Sequence, residues 1–356
     1  MTPTATFPVR IQPAAASRLP ELDFSQLEFG KVFADHMFVV DYRDGEWQDA
    51  QIVPYGDMAV SPANSALHYG QAIFEGMKAY QQQDGGVALF RPLDNWARLN
   101  VSAERMCMPA LPEEVFMGGL SQLIRLDHGW LPTAPGGALY IRPFMFATDG
   151  FIGVRPSDTY RFVIFTCPVG LYYNKPLRVR FEQKYVRSAE GGSGYAKAAG
   201  NYGGAMMPSR LAQQEGYHQL LWTDASQHQY VEESGTMNVA FVLNERLVTP
   251  ALSSSILDGI TRRSVLQLAH DMGVPVEERK VSGVEIMKAL AAGQLQEAFG
   301  VGTAATIAPI ATIGYEGHDY QLPPTDANAL SRRLGAALDA IRTGQAPDGH
   351  GWMVRV

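Results

Sequence analysis

Gly191-Gly192-Ser193-Gly194-Tyr195-Ala196-Lys197-Ala198-Ala199-Gly200-Asn201-Tyr202 decides how the rest of this chain is read. Small residues surround Lys197, so a flat ligand can approach it closely. A lysine becomes a Schiff-base nucleophile when desolvation or nearby cations destabilise its ammonium form. Tyr202, a little further on, is placed to donate a hydrogen bond to a phenolate-like oxygen. Taken alone, the segment reads first as a flexible glycine loop with a solvated lysine, because such loops are common and perturbed lysines are not.

Three further segments change that balance. Val231-Glu232-Glu233-Ser234-Gly235-Thr236-Met237-Asn238-Val239 sets an acid at a strand end before a turn of small residues. A buried carboxylate there can pair with a protonated ring nitrogen and keep a pyridine cationic, as an electron sink. Two surface glutamates ahead of a hairpin turn are the plainer alternative. In Leu257-Asp258-Gly259-Ile260-Thr261-Arg262-Arg263 a glycine precedes a helix, so the amides of Ile260 and Thr261 form an anion cradle. Simple capping by Asp258 is the alternative. Gly300-Val301-Gly302-Thr303-Ala304-Ala305 offers amide donors and the Thr303 hydroxyl, or else only a buried turn. Each segment is weak alone. Together they supply a lysine, a pyridine partner, a phenol donor and two anion cradles, which no metal site or catalytic triad explains as well.

The 356 residues, 46% hydrophobic and 18% charged, suffice for two domains or one large one. The net charge of -7 and the scattered basic residues, paired only at places such as Arg262-Arg263 and Arg332-Arg333, speak against a nucleic-acid partner. Cys107 and Cys167 form no C-x-x-C and no ligand spacing with histidine, so neither a disulfide framework nor a structural metal is expected. That usage fits a cytoplasmic location. Residues 1–20, rich in Pro, Ala and Thr, read as a flexible tail and not a secretory signal. No stretch approaches the roughly 18 apolar residues of a membrane span.

Along the chain, 31–43, Val87–Arg91, Leu139–Phe146 and Tyr160–Cys167 read as strands, with a turn at Asp44-Gly45 and a helix over Asn95–Met106. Pro168 to Lys184 reads as a connector. Beyond it, Gln219–Thr223, Gln229–Glu232 and Val239–Asn244 read as short antiparallel strands. Thr261–Met272 is a helix closed by Gly273, Ser282 with Glu285 opens another, and Asp326–Ile341 is a C-terminal helix. The fold class is α+β in two domains: tail 1–20, a small N-terminal α/β domain 21–168, an interdomain loop 169–184, and a larger domain 185–356 with mostly antiparallel strands.

From Phe29 to the C-terminus the sequence resembles the branched-chain aminotransferases, pyridoxal-phosphate enzymes of fold type IV. The resemblance is carried by the lysine segment, by E-S-G-T-M-N at Glu233–Asn238, by L-H-Y-G-Q-A-I-F-E-G-M-K-A-Y at Leu67–Tyr80 and by L-Y-I-R-P at Leu139–Pro143. It is closer to the larger, eukaryote-like subgroup. It implies ping-pong transamination of L-leucine, L-isoleucine and L-valine with 2-oxoglutarate. It implies that Lys197 carries the cofactor and moves the α-proton, that Glu233 holds the pyridine nitrogen and Tyr202 the O3′ oxygen. Arg98, Ile260, Thr261 and Thr303 would bind the phosphate. Arg142 would clamp the distal carboxylate of glutamate, and Tyr69 with the Thr303 and Ala304 amides the α-carboxylate. Phe29, Phe74, Tyr140 and Thr236 would wall the side-chain pocket, with Thr236 also beside the cofactor. The Ile152-Gly153-Val154 loop would close it from the partner subunit of a homodimer. The sequence departs from mammalian members, whose C-x-x-C pair falls here on Ala305 and Ala308, so no thiol switch is expected. D-amino-acid aminotransferase and aminodeoxychorismate lyase share the fold. The L-Y-I-R-P and F-E-G-M-K segments favour the branched-chain reading over them, and no missing catalytic group favours a mere cofactor carrier.

Overall fold

The computed structural model describes residues 8–170 and 175–356. In chain order the first elements are β1 (Arg10–Ile11), β2 (His36–Arg43), β3 (Glu46–Pro54), α1 (Ser65–Tyr69), β4 (Ala72–Phe74), β5 (Met77–Gln81), β6 (Val87–Phe90), α2 (Pro92–Arg105), α3 (Glu113–Leu126), β7 (Ala138–Ala147) and β8 (Tyr160–Val169). Then come β9 (Leu177–Phe181), α4 (Ala199–Gly203), α5 (Met206–Gln214), β10 (Gln219–Thr223), β11 (Val231–Ser234), β12 (Asn238–Leu243), β13 (Arg246–Thr249), α6 (Ile260–Asp271), β14 (Val276–Glu278) and α7 (Gly283–Ala291). The last are β15 (Leu295–Gly302), β16 (Thr306–Tyr315), β17 (His318–Gln321), α8 (Leu330–Arg342) and β18 (Met353–Arg355). The chain forms two compact units. One runs through β8 and takes in Ala196–Gly200 and Arg342–Val356; the other takes β9 onward to Tyr195 and then Asn201–Ile341.

The first unit is built on a sheet of order β1-β3-β2-β8-β7-β5-β6-β18, with β4 beside β7. Its β2–β3 hairpin turns at Asp44 and Gly45, with φ of 55° and 82°, as the Asp-Gly pair leads one to expect. Strand alternation sorts the side chains of β7. Leu139, Ile141 and Met145 join Leu99 and Ala103 of α2 and Phe116 and Leu120 of α3 in the main core. Tyr140, Arg142, Phe144 and Phe146 therefore point to the other face, where Phe146 packs with Met37 and Val163. At Gly119 of α3 the Phe38 ring sits 2.5 Å from where a Cβ would lie, so the helix can settle on β2 only without a side chain there.

The tail expected over 1–20 is corrected for the residues that are described; 1–7 lie outside them. Arg10–Ile11 pairs in parallel with β3. The Ala14 amide donates to His36 Nε2 at 2.9 Å, and Ser17 Oγ and the Arg18 amide donate to Asp35 at 2.5 and 2.9 Å. Hydrogen bonds to β2 and the residue before it do the docking, and they leave no apolar period in the sequence. The loop expected over 169–184 is corrected likewise. Residues 171–174 lie outside the described residues, but Leu177–Phe181 is strand β9, inside the second sheet. Its L-R-V-R-F alternation, apolar residues buried and arginines half-buried, is a period of two that the surrounding Pro, Gly and Asn disguised.

The second unit carries a sheet of order β11-β10-β9-β16-β15-β12-β13-β14, with β17 on β16. β9 runs parallel to β10 and β16, and β13 to β14, while β12 pairs antiparallel with β13 and β15. α6 ends before Gly273, whose φ is 72°. Ser282 Oγ accepts from the Glu285 amide at the start of α7, while the Glu285 carboxylate takes Arg279 at 2.7 Å. α8 begins at Leu330, later than the composition suggests. The reason is Glu297 of β15, whose carboxylate accepts from the Leu330 and Ser331 amides at 2.6 and 3.0 Å.

Candidate active site

In the first unit Lys197 is held by its backbone. Its amide donates to Ser102 Oγ at 2.8 Å, its carbonyl accepts from the Phe74 amide at 3.1 Å, and Ala198 bridges to Ile73 beside β4. The glycine-rich segment is therefore no free loop at this point. Lys197 Nζ lies 4.8 Å from the centre of the Phe74 ring. The Arg142 guanidinium lies 4.8 Å from the same ring and 5.4 Å from that of Tyr140. Arg142 Nη2 donates to Tyr140 Oη at 2.9 Å, and Phe29 meets Tyr140 edge-on at 4.9 Å. Gly76 is required here, since a Cβ would lie 2.3 Å from Tyr140 Oη. Lys197, Phe74, Tyr140, Arg142 and Phe29 thus form one connected group, in which two cations share aromatic faces.

Among the described residues no carboxylate lies within ion-pair distance of Arg142, and its buried Nε has no hydrogen-bond partner. A half-buried cation held by rings and a phenol, with a donor to spare, suits an incoming carboxylate. Behind it, Cys167 is the register partner of Tyr140. Burial pushes the Cys167 thiol up to about 11, against the lowering effect of the Gly30 amide and of Arg142 and Lys78. Arg98, which a solvated helix face would also explain, is instead buried and gripped in a fork by Glu75, both bonds at 2.8 Å. Tyr69 ends α1 and is exposed, as is Val154, on a loop that Arg155 staples to Asp149 and Asp158. Neither is joined to the Lys197 group by a described contact.

The second unit gathers a different set. Glu233 is buried, not on the surface, and one carboxylate oxygen accepts from Arg187 at 3.1 Å and from the Leu257 amide at 2.7 Å. Arg187 also donates to the carbonyls of Gly194 and Ser255. Glu232 points elsewhere. Burial raises its pKa, though the Ser255 hydroxyl and Arg187 lower it in part. The antiparallel pairing of β12 with β15 sets the Gly235-Thr236-Met237 turn beside the Gly302-Thr303-Ala304 turn. Met237 packs on Gly300 and Gly302, where a Cβ would lie 2.6 and 3.0 Å from its side chain. Asn238 Nδ2 donates to the Leu257 carbonyl, and a Cβ on Gly259 would lie 1.9 Å from Asn238 Oδ1, which draws the start of α6 to the same end.

That helix start has no side-chain cap and no acid in its first turn, although Ile260 and Thr261 are buried. Asp258 faces Arg263 at 3.5 Å and does not cap the helix. Buried amides without a capping side chain are an anion site in waiting. Glu233, Thr236, Ile260, Thr261 and Thr303 are thus assembled at one end of the second sheet. Thr236 is exposed there, Ala304 is half-buried in its turn, and Tyr202 is half-buried on α4.

Sequence reasoning missed Glu75, Arg187, Ser102 and Asn238. A lone acid inside A-I-F-E-G-M was a readable sign of a buried ion pair. The other three carry no local signal.

A family model described as amino-transferase class IV matches residues 72–313. Branched-chain-amino-acid aminotransferase 2 of Bacillus subtilis is 42% identical over 96% of this chain and 95% of its own length. The branched-chain-amino-acid aminotransferase of Mycolicibacterium smegmatis is 44% identical over 92% of each. Among solved structures, the branched-chain aminotransferase of Thermoproteus uzoniensis with norvaline superposes with a TM-score of 0.74 at 26% identity, covering 90% of this chain and 99% of that one. The Escherichia coli branched-chain amino acid aminotransferase gives 0.72 at 27%, covering 90% and 98%. The chain belongs to the class IV aminotransferases, and within them to the branched-chain-amino-acid aminotransferase family.

Proposed function

We propose that the protein moves amino groups from L-leucine, L-isoleucine and L-valine to 2-oxoglutarate, giving branched-chain 2-oxo acids and L-glutamate in two half-reactions. The observation that carries this reading is Arg142, laid on the Phe74 and Tyr140 rings with no carboxylate within ion-pair distance among the described residues. A purely apolar pocket would reject glutamate, because an unpaired buried charge is very costly. Rings with one cation at their edge accept both a leucine side chain and a second carboxylate. The relatives' names support the branched-chain substrates.

The donors suit pyridoxal 5′-phosphate: an amine in the first unit, and in the second a buried carboxylate paired with Arg187 and a helix start without a side-chain cap. When bound, that group supplies an aldehyde for the amino group and a cationic ring that draws electrons. Lys197 would hold it covalently and carry the α-proton. Glu233 would pair with the ring nitrogen, and Tyr202 would donate to the phenolic oxygen. Arg98, aimed by Glu75 in the first unit, and the Ile260 and Thr261 amides with Thr303 in the second, would each offer donors to phosphate. Tyr69 in the first unit, and the Thr303 and Ala304 amides in the second, would offer donors to the α-carboxylate. Phe29, Phe74, Tyr140, Thr236 and Val154 would meet the substrate side chain, Val154 from the second subunit of a cytoplasmic homodimer.

The test is a half-reaction assay. Protein loaded with the cofactor is mixed with L-isoleucine and then with 2-oxoglutarate while cofactor absorbance is followed. The reading expects loss and then return of the absorbance, with both products formed. Turnover with D-alanine or aminodeoxychorismate, and none with L-isoleucine, would overturn it in favour of the other activities of this fold.

A further inference from the structure

Ser102 lies in α2, far from Lys197 in sequence, and is fully buried. Its hydroxyl donates to the Arg98 carbonyl at 3.1 Å and accepts from the Lys197 amide at 2.8 Å. The Arg98 side chain leaves the same turn of α2 toward Glu75. Across the chain, the Lys197 carbonyl is taken by the Phe74 amide, and Phe74 precedes Glu75. Lys197 is therefore clamped on both sides of its Cα, by a helix hydroxyl and by a strand amide. The same clamp joins it to the residues on which Arg98 depends.

We infer that Ser102 is a positioning residue for the amino-transfer reaction: it sets the direction of the Lys197 side chain relative to Arg98. The inference rests on the proposed role of Lys197 as cofactor carrier and proton carrier. A flexible side chain is aimed by its backbone, and removal of the acceptor frees the Lys197 amide to turn. Misplacement of a reacting group by about 1 Å costs on the order of 100-fold in rate, while remote binding contacts are untouched. The defect thus belongs to proton transfer and not to substrate affinity.

The experiment compares the loaded wild-type enzyme with Ser102→Ala and Ser102→Thr. Borohydride trapping and peptide mapping on the wild type come first. A label away from Lys197 overturns the proposed role of the lysine, and this inference with it. With Lys197 labelled, single turnovers with L-leucine and α-deuterated L-leucine are followed by absorbance, and the pH titration of the bound chromophore is recorded. Ser102→Ala is expected to slow the half-reaction roughly 10- to 100-fold with KM within about threefold, to raise the deuterium isotope effect, and to shift the chromophore titration. Ser102→Thr, which keeps the hydroxyl, is expected to recover most of the rate. Unchanged rate and isotope effect in Ser102→Ala overturn the inference, as does a rate loss confined to KM. The isotope effect carries the test even where the threonine methyl disturbs the fold.

Discussion

Replacing Arg142 by methionine separates the two substrates. Methionine keeps an unbranched apolar stem against Phe74 and Tyr140 and removes the guanidinium that lies 4.8 and 5.4 Å from those rings. A leucine side chain loses little by this, and its kcat/KM is expected to fall no more than about threefold, as a volume-conserving change in an apolar wall costs little. For 2-oxoglutarate the distal carboxylate loses its charged partner in a largely apolar place, which costs about 3–5 kcal/mol with the lost hydrogen bonds included. At about 1.4 kcal/mol per decade, kcat/KM for 2-oxoglutarate and glutamate should fall roughly 100- to 4,000-fold. The assay is single-turnover kinetics run in each direction, with leucine on the aldehyde form of the enzyme and 2-oxoglutarate on the amine form. Equal losses for both substrates would refute the reasoning, since they would mean that Arg142 supports the fold or the cofactor and not the second carboxylate.

Glu75→Leu should destabilise the protein by about 3–5 kcal/mol in urea unfolding, because the buried Arg98 loses the carboxylate that forks it; Glu75→Leu with Arg98→Met should recover much of that. Gly259→Ala, whose new Cβ would lie 1.9 Å from Asn238 Oδ1, should displace the start of α6 and weaken pyridoxal phosphate binding at least tenfold, measured by titrating cofactor into apoprotein. The pKa of Glu232 is raised by burial, so the folded state binds its proton more tightly than the unfolded one. Its contribution to stability is therefore full below the ordinary value of 4.5 and is lost as pH rises through the raised value; Glu232→Gln should gain stability relative to wild type as pH rises above 4.5, and a constant difference would contradict this. Thiol titration of the native protein should find Cys107, which is exposed, and miss Cys167, which burial holds up to about 11; unfolding should release the second thiol.

The Asp44-Gly45 turn, the stop at Gly273 and the strand Gln219–Thr223 were legible in the sequence because turn residues and β-branched or aromatic runs act over a few neighbours. The two-residue spacing of Tyr140 and Arg142 along a strand puts them on one face, and the structure finds them hydrogen-bonded. The docked N-terminal segment and β9 were not legible. The first is held by polar contacts to Asp35 and His36, and the second is a strand only because β10 and β16 lie on either side.

By itself, the sequence determined the chemistry on offer: a lysine among small residues, an acid before a tight turn, amides at a glycine-led helix start and a cation within an aromatic strand. Those features depend on residue type and near-neighbour spacing. Only the tertiary structure decided which partners hold them. Glu75 grips Arg98, Arg187 grips Glu233, Glu297 starts α8, and Ser102 and Phe74 clamp Lys197. Buried charges and buried amides must find partners when water is excluded, and packing, not proximity along the chain, brings those partners within reach.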